Sequence, residues 1–121
     1  MKRVLTITLS SDWKANLEKA AATMQRGVKS GKYQGEVLNF ESPAVFFGKL
    51  TERRWNLLRE IQRAEEPVGV REIARRVKRD VRRVHDDLAV LLELGLIERT
   101  DDEALVCPFS DIHVDMHMRA A

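Results

Sequence analysis

Residues 70–94 read VREIARRVKRDVRRVHDDLAVLLEL, two helical patterns separated by a charged turn. In the first, Val70, Ile73, Ala74 and Val77 recur at the helical period and predict one buried face, while Arg71, Glu72, Arg75 and Arg76 fall away from it. Lys78 and Arg79 make the turn. Asp80 is placed to cap the next helix by accepting from its orphan backbone N–H groups, and Val81, Val84, Leu88 and Leu91 supply a second apolar stripe. At roughly 100° per residue, Arg79, Arg82 and Asp86 point nearly opposite Val84 and Leu88, with Arg83 and His85 on the flanks. A short turn followed by a helix whose first turn leads with guanidinium groups is the pattern of a DNA-reading helix-turn-helix.

Charge supports that expectation. Between residues 71 and 83, Arg71, Arg75, Arg76, Lys78, Arg79, Arg82 and Arg83 stand against Glu72 and Asp80, a local excess of five positive charges. Arginine dominates, which suits bidentate contact with phosphate oxygens or guanine O6 and N7. In this reading Arg82 and Arg83, with Arg79 and His85, enter the major groove, while Arg71, Arg75, Arg76 and Lys78 set the docking through phosphates. The competing reading is a solvated or protein-binding helix face, in which Arg82 with Asp86 and Arg83 with Asp87 form i,i+4 pairs worth only about 0.2–0.5 kcal/mol each.

Upstream, Leu50-Thr51-Glu52-Arg53-Arg54-Trp55 opens a helix, with Thr51 as its cap, Glu52 complementing the dipole and Leu50 stapling to Trp55. Trp55, Leu57, Leu58 and Ile61 give it a core face, and Glu65-Glu66-Pro67 ends it. Downstream, Gly95 is the expected left-handed helix terminus. LIER and ALVCPF then flank Thr100 to Glu103 as a hairpin. Three helices and a hairpin predict a winged helix over residues 50–109, within an α+β chain.

The flanks add smaller elements. Residues 3–9, RVLTITL, alternate Leu5, Ile7 and Leu9 against Val4, Thr6 and Thr8 as a strand. A helical stripe follows over Trp13, Leu17, Ala20, Ala21, Met24 and Val28. EVLNF at 36–40 predicts a short strand, and Ser42-Pro43 starts a single turn that Gly48 can end. Residues 1–49 thus form a strand-helix-strand extension. From Asp111 to Met118, Ile112, Val114, Met116 and Met118 alternate with Asp111, His113, Asp115 and His117, so residues 110–121 hold a strand with one buried face and a tail. That strand is expected to pair with the N-terminal one or with its equivalent in another subunit. The His-x-Asp-x-His face favours solvated ion pairs over a metal site, because no further ligand cluster accompanies it.

The 121 residues suit one domain with appended elements, and a net charge of +2 argues against a polycation that coats nucleic acid by charge alone. The acidic stretch after residue 100 makes the surface polarised. No run approaches the roughly 20 apolar residues of a membrane span, and Lys2-Arg3 lead into too short an apolar stretch for a signal peptide, so a cytoplasmic protein is expected with nothing removed. A lone cysteine, Cys107, excludes an internal disulfide, and its apolar neighbours predict a buried strand thiol. Neither a nucleophile-base-oxyanion grouping nor a Gly-rich phosphate loop is present, so neither enzyme nor cofactor is expected.

The run from Leu50 to Arg99, and above all REIARRV, RDVRRVHDDL and LLELGLIER, resembles the small winged-helix DNA-binding regulators that act as antitoxins of prokaryotic toxin–antitoxin modules. More broadly it resembles the multiple-antibiotic-resistance-type winged-helix regulators. The resemblance implies a transcriptional regulator acting as a homodimer on double-stranded operator DNA, with a small toxin as a further partner. Three positions depart from the pattern. Gly69 stands where a Ser or Thr cap is common, and Lys78 occupies a turn position where glycine is common and a left-handed backbone is needed. The hairpin tip Thr100-Asp101-Asp102-Glu103 lacks a cation for a minor groove, so it is not expected to insert.

Overall fold

A computed structural model describes residues 3–11, 35–118 and 120, and divides the chain into two compact units, Met1–Gly48 with Phe109–Ala121, and Lys49–Pro108. The expected helix over residues 13–28 lies outside the described residues.

In the first unit, β-branched and apolar residues build three strands, β1 (Arg3–Leu9), β2 (Glu36–Phe40) and, from the C-terminal end, β5 (Phe109–Asp115). They lie in the order β2-β1-β5, with both pairings parallel. Leu5 pairs with Ile112, and Ile7 with both Val114 and Leu38, which gathers the apolar side chains on one face. Leu5 and Ile7 are buried. Ser110 Oγ donates to the Arg3 carbonyl across 107 positions of sequence. Arg3 also pairs with Glu36 at 2.6 Å and lies 5.0 Å from the Phe109 ring centroid. The alternation that runs to Met118 ends as a strand at Asp115, because its neighbour β1 ends one residue beyond the Thr8–Asp115 pair. Met116 and Met118 are consequently exposed rather than buried.

Helix α1 (Pro43–Lys49) follows β2, with the Ser42 hydroxyl accepting from the Val45 N–H. Phe46 packs edge-on against Phe40 with ring centroids 5.3 Å apart. The helix runs through Gly48 to Lys49 instead of stopping at the glycine, which keeps a negative φ.

The second unit consists of α2 (Glu52–Arg63), α3 (Val70–Val77), α4 (Val81–Glu93), β3 (Glu98–Arg99) and β4 (Leu105–Val106). Thr51 caps α2 through its side chain. Leu57, Leu58, Ile61, Ile73, Val84, Leu88 and Leu91 are buried, joined by Leu96, Ile97 and Leu105. Truncating any of these leucines or isoleucines to alanine would cost about 2–5 kcal/mol. Gly95, at φ +79, closes α4: its N–H donates to the Leu92 carbonyl and that of Leu96 to Leu91. Lys78, at φ 55, closes α3 in the same way with a side chain in place of a glycine hydrogen. Val81 is 42% exposed, not part of the buried stripe. It opens the helix and lies about 60° around it from Val84, on the stripe's rim.

The hairpin is shorter than the sequence predicts, two residues per strand, because Leu96 and Ile97 turn inward before it begins. Val68, between α2 and α3, exchanges both backbone hydrogen bonds with Leu105 at 3.0 and 2.8 Å, which ties the hairpin back to the helices. Cys107 follows β4 as a half-buried thiol outside any strand.

Candidate nucleic-acid interface

Helix α4 starts where Asp80 accepts from the Arg83 N–H at 3.3 Å, fixing the entry of the chain after the Lys78–Arg79 turn. Val84 and Leu88 bury the inner side, and the period then sets Arg82, His85, Asp86 and Ala89 on the outer one, all exposed. Arg83 is exposed on the flank. Among the described residues, no ion pair engages the side chain of Arg82 or Arg83.

The placement of these two arginines runs against helix electrostatics. A helix N-terminus carries a partial positive charge, and a cation in its first turn is unfavourable by about 0.3–1 kcal/mol. The first turn of α4 has no acidic residue and its last turn no basic one. Asp80, at the cap, complements this end with its carboxylate. The positive potential of the first turn and both guanidiniums therefore face the same solvent, an arrangement that favours an anionic ligand.

Arg79 stands differently from the reading in which it enters the groove. Its Nη2 donates to Asp87 Oδ2 at 2.7 Å, while Arg54 Nε donates to Asp87 Oδ1 at 3.0 Å. Burial pushes the Asp87 carboxyl up, but the Arg79 and Arg54 hydrogen bonds outweigh it and hold it below the usual carboxylate range. Arg54 also donates to the Lys49 carbonyl at 3.0 Å. The start of α2, the turn and α4 are thereby clamped together, and Arg79 acts as a brace beneath the exposed cations. The Arg83–Asp87 pair of the competing reading does not form, since Asp87 is taken by these two partners.

On α3, Arg71 is exposed at the first turn, and Lys78 is exposed in the turn beyond. Arg75 and Arg76 both donate to Glu72. Those hydrogen bonds, Arg75 first, hold the Glu72 carboxyl down at about 2 and raise the Arg75 guanidinium. Both arginines remain at the surface with their charge partly neutralised inside the helix. The hairpin tip Asp101-Asp102-Glu103 is exposed and acidic, with Glu103 at φ 62.

Two contributors escape a reading of residues 70–94. Arg53, exposed on the first turn of α2, lines one open groove together with Arg83 and Asp86. Its sequence signal is a place two positions after the Thr51 cap, the same offset that Arg82 has from the Asp80 cap. Ala89, seven positions after Arg82, leaves a flat apolar spot on the exposed face, as the period alone requires.

Comparison with known proteins bears on this second unit. A protein-family model described as HVO_A0114 matches residues 49–114, more than half of the chain, and the chain belongs to that family. No curated protein and no solved structure matches it.

Proposed function

We propose that this member of the HVO_A0114 family is a winged-helix transcriptional regulator that binds double-stranded DNA in a sequence-specific manner, with α4 as the helix that enters the major groove. The observation that carries the proposal is the pair Arg82 and Arg83, exposed on a first turn where helix electrostatics disfavour them. The element order supports it: α2, the Val68 bridge, α3, α4 and the β3-β4 hairpin follow the winged-helix sequence of parts.

Arg82 and Arg83 read base edges, each bidentate contact to guanine supplying about 1–3 kcal/mol of discrimination. His85, Asp86 and Ala89 continue the reading face. Arg71, Arg75, Arg76, Lys78 and Arg53 meet phosphates and set the salt dependence. Arg79 holds the turn from below. The acidic hairpin tip stays out of the minor groove, where its carboxylates would meet phosphate repulsion. Copies acting in pairs would read half-sites about one helical turn apart.

The test is fluorescence anisotropy with DNA from upstream of the protein's own gene, titrated across salt. Steep salt dependence and loss of sequence preference in Arg82→Ala with Arg83→Ala are expected. Unchanged binding by that folded double variant overturns the site. The acidic tip favours one other reading, a winged helix that docks a partner protein and ignores DNA. For that reading the same titration shows no binding at any salt concentration.

A further inference from the structure

The Asp-x-His-x-Asp-x-His run over residues 111–117 takes no part in the reading surface. Its first five residues lie on β5, the end strand of the β2-β1-β5 sheet, and among the described residues no strand pairs with the outer edge of β5. Natural edge strands are commonly guarded by lysine or proline, and residues 109–118 contain neither. Past the strand, Met116 is 41% and Met118 99% exposed. His117 folds back on Asp115 at 3.2 Å.

We propose that β5 is a homodimer interface, its outer edge pairing antiparallel with β5 of a second copy about a two-fold axis through Val114. In that register His113 lies opposite the partner's Asp115, Asp111 opposite the partner's His117, and Ile112 opposite the partner's Met116, while Val114 meets its own equivalent. The two-fold repeats each His–Asp apposition, giving four on one face and an apolar row on the other. Moving the axis to His113 sets Asp111 against the partner's Asp115. Moving it to Asp115 opposes both Asp115 side chains and sets His113 against the partner's His117. Like charges directly across a strand pair destabilise it, which disfavours both of these shifts; axes through Ile112 or Met116 avoid them but give two His–Asp appositions instead of four, so the register about Val114 is the most complementary.

Self-complementarity about a single residue is what a two-fold axis demands, and a foreign strand would need none. The other outer strand, β2, lacks the pattern: Glu36, its one charged residue, is already paired with Arg3. Pairing would extend β5 over Met116 and His117, join two three-stranded sheets into one of six, and cover the exposed methionine. The interface forms without DNA and stands or falls separately from the reading helix.

Sedimentation equilibrium of the full chain, without DNA, tests it. A dimer at micromolar concentration is expected. Asp115→His should weaken it by about tenfold, because two His–Asp appositions are replaced by His–His ones. Adding His113→Asp to the same chain exchanges the charges and should restore it. In a Cys107→Ser background, Val114→Cys should give disulfide-linked dimers by itself, whereas Ile112→Cys and Met116→Cys should cross-link only when the two are mixed. Circular dichroism verifies the fold of each variant. A monomer at tens of micromolar, or a dimer indifferent to Asp115→His and not cross-linked through position 114, overturns the proposal.

Discussion

Arg54 Nε donates to the Asp87 carboxylate at 3.0 Å across 33 positions of sequence, so one acidic side chain on α4 holds the start of α2. Arg79 Nη2 takes the other oxygen of the same carboxylate. With Asp87 side-chain exposure at 16%, removing it strands two guanidiniums in a partly desolvated site. Asp87→Ala is expected to destabilise the second unit by about 1–3 kcal/mol. Urea unfolding checks it: the midpoint falls while the slope stays constant.

The same carboxylate predicts an acid limb. Its pKa is lowered in the folded protein, so its stabilisation is fully present above the unfolded value, about 3.9, and is lost as pH falls through the lower folded value. Stability should therefore decline below about pH 4, and less steeply in Asp87→Asn than in the parent. Thermal melts between neutral pH and pH 2 measure the difference.

Glu72 keeps two cations of the proposed phosphate-binding set engaged, since Arg75 and Arg76 both donate to it. Glu72→Gln is expected to raise DNA affinity several-fold at low salt and to leave the fold intact. A variant with unchanged or weakened affinity would remove Arg75 and Arg76 from the set.

Lys78 separates folding from binding. It holds a left-handed backbone at φ 55, ψ 49 that glycine adopts without strain. Lys78→Gly should stabilise the protein by about 1 kcal/mol. It should also weaken DNA binding at every sequence alike and flatten the salt slope by about one phosphate contact.

These features differ in how far the sequence discloses them. Apolar spacing gives the three helices of the second unit, and Gly95 and Lys78 both take the left-handed backbone that their places at helix ends require. The Asp87 clamp is not legible in this way, because periodicity assigns faces of one helix and the clamp joins three segments. From α4 alone, the i,i+4 spacing offers Arg83 as the partner, yet Arg54 and Arg79 reach the carboxylate. The Val68 bridge involves a single residue and leaves no alternation to read. At the C-terminal end the alternating pattern outruns the strand, since a ladder extends only as far as its neighbour. Arg82 and Arg83 lie at the surface, where the helical period puts them, while Arg79, two positions before Val81, faces inward because of a partner eight residues later.

The parallel β2-β1-β5 order has a consequence during synthesis. Translation delivers β1 early and β5 only after Lys49–Pro108 has been made, so at roughly 5–20 residues per second the sheet waits several seconds for its last strand. Until then one flank of β1 stays bare, with the open hydrogen-bonding groups that invite association between nascent chains. Arrival of the final strand ends that exposure.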